Sequence, residues 1–366
     1  MIENVKQETR SAINSTLTNH HFLDGSPNLL ASVIVTAYND LRYLEGCISS
    51  LLDQELPLDQ YEVIYVDNGS TDGSADYVSN RFPQVHVVRF DKNYGFAEGN
   101  NRGATYAQGR YIAFQNADTI VHRKWLSELV KTMQENPLVK GCHPAGKPLN
   151  FGGYNERHKK IDQGVMCELS PFGFVDFKTI DLTDRPIPTL FIAGGSMMID
   201  REILSQIQYI FDPTYFIYNE DTDLGLRINN LGYKVVFVPT AVAYHQRAAA
   251  RRILLNKKSM RMAYLVTRNR FITFFKNMRS MEFIIALPLI FVGSITKVQA
   301  LGMGRFRRMA YAFGLIPYSL VSLILAASNF PRYLTQRQHI LSHSPHPNYW
   351  LLKELWKRRN SDWIVV

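Results

Sequence analysis

The sequence predicts an α/β fold in which a parallel, doubly wound sheet is flanked by helices, with a helical C-terminal region appended. Three observations predict it. Two short runs rich in β-branched residues, Ala31–Ala37 (ASVIVTA) and Tyr61–Asp67 (YEVIYVD), bracket a helix-like stretch at 40–54, which makes a βαβ unit. A strand at 85–90, a helix opening near 96–109 and a strand at 111–115 continue the alternation. Uncharged stretches and clustered basic residues set the C-terminal third apart.

Beyond the first third the pattern loosens. Residues 144–188 scatter Gly, Pro and charge and read as loop with short strands. Order returns with a strand or turn at 191–199, a helix at 201–207, a helix opening near Glu220 and a strand at 235–238. The expected organisation is a polar N-terminal extension at 1–28, a catalytic domain at 29–250 and a basic, apolar helical region at 251–366.

A chain of 366 residues with 46% hydrophobic content has ample material for a core, which excludes global disorder. A net charge of +9 implies an anionic partner: a nucleic acid, a lipid surface or a phosphate-bearing substrate. The excess lies after His245, in Arg247, Arg251, Arg252, Lys257, Lys258, Arg261, Arg268 and Arg270. No aromatic-basic RNA motif or Cys/His finger accompanies it, so nucleic acid is not the expected partner. Cys47, Cys142 and Cys167 are far apart and form no CxxC pair, which suggests neither a disulfide framework nor a zinc site. Residues 1–28 lack an apolar signal core, and the catalytic part is expected in the cytoplasm.

In an open α/β sheet, ligands sit beyond the carboxyl ends of the strands, so the polar residues that follow each strand are the candidates. Four strand ends qualify: Ala37-Tyr38-Asn39, Asp67-Asn68-Gly69-Ser70, Asn93-Tyr94-Gly95-Phe96 and Asn116-Ala117-Asp118. Asp67 can accept hydrogen bonds from a base or ribose. A plain turn at 68–70 with Asp72 as a helix cap accounts for the same residues. Asn116 and Asp118 are expected on one side of an extended segment, where they can hold a hard divalent cation against a diphosphate; a solvated turn is the alternative. In FIYNEDTDLGLR, Glu220, Asp221 and Asp223 open a helix, where the dipole favours acids, yet three carboxylates exceed what capping needs. One of them can act as a general base. Asp223 has the i,i+4 spacing of an ion pair with Arg227 and is assigned to structure. His245 closes a strand-like run, where an imidazole either completes an oxygen-ligand metal site or is structural.

The ordered motifs SVIVTAYND, VDNGSTDGS, NYGFAEGNNRG, QNADT, AGGSMMIDRE and NEDTDLGLR, closed by His245, resemble the family 2 glycosyltransferases of the GT-A fold, in particular their rhamnosyltransferase-like branch. The resemblance runs from about Ser32 to His245. It implies a Rossmann-like, mixed but mainly parallel sheet and an inverting transfer of one sugar from a nucleotide-diphosphate sugar. By resemblance Ala37, Tyr38, Asn39 and Asp67 border the donor's base and ribose, and Asn93, Gly95, Phe96, Asn100, Asn101 and Asn116 line the nucleotide-sugar site. Asp118 and His245 hold Mg2+ or Mn2+. Asp221 is the base with Glu220 beside it, and Gly194, Gly195 and Ser196 line the acceptor side.

Two departures stand out. Asn116 occupies the first position of the family's Asp-x-Asp pair, which leaves Asp118 to carry most of the coordination. The Gln-x-x-Arg-Trp signature of processive synthases is absent, so one sugar per acceptor is expected. A nucleotidyltransferase would carry a Gly-rich, cationic loop after the first strand, and TAYNDLRYLEG is not one. A degenerate, membrane-bound nucleotide-sugar-binding protein or scaffold is the non-enzymatic alternative.

At the C-terminus, 283–296 is uncharged but shorter than the ~20 residues that span a bilayer as a helix, and 309–331 is uncharged with interspersed Pro and Ser. Trp350, Trp356 and Trp363 lie among Lys353, Lys357, Arg358 and Arg359, a composition suited to a headgroup interface. The expectation is peripheral attachment to the inner face of the cell membrane and a lipid-linked glycan acceptor, as in polysaccharide and cell-wall assembly. A buried hairpin or a homodimer interface is the alternative use of these segments.

Overall fold

The computed structural model describes residues 29–148, 163–170, 173, 175–181, 183, 185–245, 257–296 and 329–357. The expected extension at 1–28, most of the apolar stretch at 309–331, and Arg247, Arg251, Arg252, Arg358, Arg359 and Trp363 lie outside them. The chain runs β1 (Ala31–Ala37), α1 (Leu41–Leu52), β2 (Tyr61–Asp67), α2 (Ser74–Arg81), β3 (His86–Arg89), α3 (Gly95–Ala104), β4 (Tyr111–Asn116), β5 (Thr119–Val121) and α4 (Trp125–Glu135). It continues through β6 (Val139–Pro148), β7 (Gln163–Leu169), β8 (Val175–Asp181), β9 (Ile187–Thr189), β10 (Ser196–Asp200), α5 (Glu220–Asn230) and β11 (Lys234–His245). Among the described residues four helices follow: α6 (Lys257–Asn277), α7 (Ser280–Thr296), α8 (Phe330–Ser342) and α9 (Trp350–Lys357).

The strands form one sheet in the order β3-β2-β1-β4-β10-β6-β11-β5, with β7 to β9 attached at its side. The βαβ crossovers make β3, β2, β1 and β4 parallel, and β6 is parallel to β11. Elsewhere the sheet departs from the mainly parallel one expected. β10 lies antiparallel between β4 and β6, β5 and β9 lie antiparallel to β11, and β6, β7 and β8 form an antiparallel meander. The sheet is mixed, because the second half of the chain returns by direct reversals and not only by helical crossovers.

Alternation along the strands builds a core on each face. Val33 and Val35 of β1 pack with Leu44, Ile48, Leu126 and Leu129 from α1 and α4. Ile34 turns the other way, against Ala97, Ala104, Leu224 and Ile228 from α3 and α5. α4 was not foreseen; its fully buried Trp125 anchors it. The helix expected at 201–207 is a 3-10 turn, Arg201–Ser205, with Asp200 accepting from the Glu202 N–H at 3.0 Å. The strand expected at 235–238 extends to His245 past an irregularity between Val238 and Val242, a segment that contains Pro239, which has no N–H to offer a ladder.

The C-terminal helices are not separately cored. Phe271, Phe274, Met278, Ala286, Ile290, Leu351 and Leu355 share one apolar cluster with Leu169, Leu190, Phe191 and Leu226 of the preceding part. Among the described residues no helix is long and apolar enough to cross a membrane.

Candidate active site

Register places the candidate strand ends on one rim. Ala37 pairs with Asp67 and Thr36 with Asn116, so β1, β2 and β4 end level with one another. The chain steps outward from β1 to β2 and β3 and then crosses to β4 on the other side of β1, and this switch point opens a crevice at the carboxyl ends.

The rim's first wall is a pair of interlocked loops. Asn39, in the left-handed region at φ 57°, donates its N–H to Ser70 Oγ at 3.0 Å and accepts from the Thr71 N–H at 2.8 Å. Asp67 is nearly buried and accepts from the Ser70 N–H at 2.9 Å. Asp72 accepts from the N–H groups of Leu41 at 3.0 Å and Ser74 at 3.1 Å, so one carboxylate serves the starts of both α1 and α2. Burial raises the Asp72 carboxyl, but these bonds and the Ser74 hydroxyl outweigh it and leave it below its ordinary value. The turn-and-cap account therefore describes Asp72, while Asp67 stays at the rim beside exposed Tyr38 and Asn39. Ala37 is buried and its carbonyl accepts from the Asn68 N–H at 2.9 Å.

The expected donor-lining set divides. Asn93 is exposed and accepts from the Gly95 N–H at 2.8 Å. Gly95 has φ 81°, and a Cβ there would lie 2.5 Å from the Phe216 ring. The first N–H groups of α3, on Phe96 and Ala97, donate to the Phe216 carbonyl at 2.7 and 3.2 Å. Asn100 accepts from the Thr36 hydroxyl and donates to the Phe96 carbonyl, each at 2.9 Å. Asn101 clamps the Phe211 backbone, donating to its carbonyl at 2.7 Å and accepting from its N–H at 2.9 Å. Gly95, Phe96, Asn100 and Asn101 thus also form the scaffold beneath the rim.

β4 ends at Asn116 and the chain turns at Ala117-Asp118, so the pair is not carried on one extended segment as expected. The antiparallel ladder of β5 with β11 sets His245 opposite Thr119, next to Asp118. His245 Nε2 lies 3.0 Å from Asp118 Oδ1, yet among the described residues the nitrogen makes no hydrogen bond. Two ligands bound at ~2.1 Å on adjacent corners of an octahedral ion stand ~3 Å apart, so the pair fits a shared divalent cation by distance and by its unsatisfied donor atom. Among the described residues no third His, Cys, Asp or Glu joins them, and further ligands would have to come from substrate oxygens, an amide such as Asn116, or water. Asp40, which sequence reasoning took only as the first residue of the helix-like stretch at 40–54, makes no capping bond with its side chain. Its carboxyl is raised by burial and by the nearby charges of Asp118 and Asp72, against a hydrogen bond from the Tyr38 backbone that lowers it, so it belongs to the same acidic mouth. A helix-start acid that caps nothing is recognisable only once Asp72 is seen doing that work.

The opposite wall is the segment before β10. Asp221 Oδ2 accepts from the Gly194 N–H at 3.0 Å, and a Cβ on Gly194 would lie 2.9 Å from that oxygen. The next residue, Gly195, accepts from the Asn116 N–H at 3.0 Å, and a Cβ on it would lie 3.6 Å from the Asn116 amide and 3.9 Å from the His245 ring. Two consecutive glycines thus connect Asp221 to Asn116 and His245, which lie far apart in sequence. Ser196 does not join them: it is buried and its hydroxyl accepts from the Trp125 indole N–H at 3.0 Å.

Asp221 Oδ1 also accepts from the Thr222 N–H at 2.6 Å. Burial raises the Asp221 carboxyl and the bonds from Gly194 and Thr222 only partly offset it. Glu220 is buried with Oε2 unpartnered, and burial followed by the Asp221 charge holds its carboxyl well above the usual range. Such a pair favours holding one proton between them, with the more exposed Asp221 placed to exchange it. Asp223 faces away and pairs with Arg227 at 2.9 Å, as its spacing predicts.

Residues 32–208 match the family model described as Glycosyl transferase family 2. The putative teichuronic acid biosynthesis glycosyltransferase TuaG of Bacillus subtilis is 31% identical over 182 residues, 49% of this chain and 65% of that protein. The chain thus spans slightly less than two thirds of that relative's length. The N-acetylglucosaminyl-diphospho-decaprenol L-rhamnosyltransferase of Mycobacterium tuberculosis is 26% identical over 238 residues, covering 59% of this chain and 76% of that one. Among solved structures, GalNAc-T7 with UDP, GalNAc and Mn2+ shares the fold with a TM-score of 0.53 at 17% identity, over 75% of this chain and 56% of that one.

Proposed function

We propose that this chain, whose residues 32–208 match the model described as Glycosyl transferase family 2, transfers one sugar, with inversion, from a nucleotide-diphosphate sugar to a lipid-linked glycan acceptor. The observation that carries this is the Gly194-Gly195 segment, which holds Asp221 on one side and meets Asn116 and His245 on the other. A base and a candidate cation pair thereby face one crevice at the switch point of the sheet. Tyr38, Asn39, Asp67 and Asn93 border the donor, and the open backbone at Gly194-Gly195 lies on the acceptor side. Asp221 takes the proton of the acceptor hydroxyl as the new C–O bond forms at the anomeric carbon and the bond to the departing diphosphate breaks. Asp118 and His245 would hold Mg2+ or Mn2+, which when bound would supply charge neutralisation for the leaving group. The relation to a rhamnosyltransferase acting on a diphospho-decaprenol substrate supports a polyprenyl-linked acceptor.

A panel of thymidine, uridine and guanosine diphosphate sugars, each with and without a polyprenyl-diphosphate glycan, tests the proposal by nucleotide release and product mass. One pair is expected to give a product one sugar longer, and EDTA to reduce the rate by ~100-fold or more, with Mn2+ or Mg2+ restoring it. No product from any pair would defeat the transferase assignment; full activity in EDTA would remove the cation alone.

We propose further that the described C-terminal helices rest on an anionic membrane surface. Support comes from α7, where Met281, Ile284, Ile285 and Leu287 are exposed large apolar residues, and from α9, which adds exposed Trp356 with Lys353 and Lys357. Co-sedimentation with vesicles containing anionic lipid is expected for the wild type and markedly weaker for the double substitution Ile284→Glu, Ile285→Glu. Equal sedimentation of the two proteins would rule out this face.

A further inference from the structure

The backbone just before Asp221 is strained. Phe216, Tyr218 and Asn219 have φ of 62°, 74° and 68°, and only the asparagine is a residue type that tolerates this region well. The Ile217 N–H donates to the Tyr215 carbonyl at 2.7 Å across Phe216, which closes a γ-turn of the rare, strained hand. Residues 214–219 contain no glycine, so contacts from elsewhere must hold this shape.

Those contacts come from α6. Asn269 is fully buried, and its Nδ2 lies 3.1 Å from the Tyr215 carbonyl, 3.0 Å from that of Ile217 and 2.7 Å from that of Tyr218. Its Oδ1 accepts from Arg268 Nε at 2.9 Å, and Arg268 Nη2 donates to the Thr214 carbonyl at 2.5 Å. The loop held in this way reaches both walls of the crevice. Its Phe216 carbonyl receives the first N–H groups of α3, and Asn219 leads directly into α5 and Asp221.

We infer that Asn269 is a positioning residue: by gathering three carbonyls of the strained loop it fixes Asp221 against Gly194 and, through Phe216, ties the base to the loop beneath the donor rim. This rests on Asp221 being the base, but the clamp itself is a statement about structure that can be tested without turnover. Asn269→Leu keeps the approximate size and removes the N–H donors, while Asn269→Ser keeps one donor. Phe271→Leu, on the same helix but packed in the apolar cluster, is the control for loss of stability.

In the full chain, Asn269→Leu is expected to lower kcat by about ten- to a hundredfold, as sub-ångström to ångström displacement of a reacting group does. Donor KM and nucleotide Kd should stay within about twofold, and Asn269→Ser should fall between. The acid limb of the kcat–pH profile should shift in Asn269→Leu and not in Phe271→Leu. Hydrogen–deuterium exchange should quicken at 216–222 and also at Phe96 and Ala97, whose acceptor is the Phe216 carbonyl. Wild-type exchange at Phe96 and Ala97 in a folded Asn269→Leu protein would overturn the clamp, as would a kcat loss no greater than that of Phe271→Leu at equal Tm. If the wild type transfers no sugar at all, the functional proposal fails, while the exchange measurement still decides the clamp.

Discussion

Asp221→Asn is expected to lower kcat by about 100- to 10,000-fold, the range supplied by a well-placed general base, equivalent to roughly 3–5 kcal/mol of barrier. The amide keeps the shape of the side chain and one oxygen for the N–H of Gly194 or Thr222, so the fold and the nucleotide site are expected to persist. Nucleotide Kd by calorimetry should therefore change by less than about threefold. In the wild type, kcat should rise with pH as Asp221 loses its proton, with the midpoint above the ordinary aspartate value of 3.8 because burial raises this carboxyl. The variant's residual rate should lack that rise. A fully active Asp221→Asn protein would remove the base assignment and would favour a site that only binds.

The largest stability effect is expected at Lys276, fully buried between Asp212 at 2.9 Å and Asp223 at 3.1 Å and donating to the Tyr209 hydroxyl at 3.0 Å. Arg227 adds a second cation on Asp223, and Arg332 reaches Asp212 at 3.4 Å. Lys276→Met leaves two buried carboxylates sharing fewer cations, and breaking such a network costs about 3–5 kcal/mol. Thermal denaturation should show a drop of many degrees, whereas Arg123→Ala, which loses an exposed pair with Asp53, should cost less than ~1 kcal/mol. A Lys276→Met protein with wild-type Tm would show that the cluster carries no net stability.

The acid side follows from Asp212. Burial would raise its carboxyl, but Lys276 and then Arg332 hold it well below the usual range. The folded state therefore binds this proton less readily than the unfolded one. The stability it contributes is present above the unfolded value near 3.8 and is lost as pH falls below it. That acid-sensitive component should shrink in Lys276→Met.

Local signals made the N-terminal architecture legible. ASVIVTA and YEVIYVD are β-branched runs whose ends register side by side in the sheet, so the polar residues after them could be placed on one rim from sequence. The antiparallel insertion of β10 was not legible, because its five buried residues choose their partners, β4 and β6, through long-range packing. Asn100 and Asn101 show a second limit. A side-chain amide serves a ligand or a backbone equally well, and the partners these two find within the chain, Thr36 and Phe211, lie too far off in sequence to be read from the motif. Asp223 was assigned to Arg227 by helical spacing, but its partner Lys276 lies dozens of residues later in a segment read as a basic, apolar helical region. Charge in that segment was taken as surface charge, whereas Lys276 and Arg270 are both buried.

The buried Lys276 cluster also bears on how this protein can be cut or recombined. A shortened chain ending between α5 and α6 would strand Asp212 and Asp223 without Lys276 and would strip Asn269 from the loop before Asp221, while one ending where the family match ends, at residue 208, would lose Asp221 itself. Chimeras made to swap sugar preference should therefore place their junctions within the N-terminal strands and leave residues 209–342 as a single inherited block.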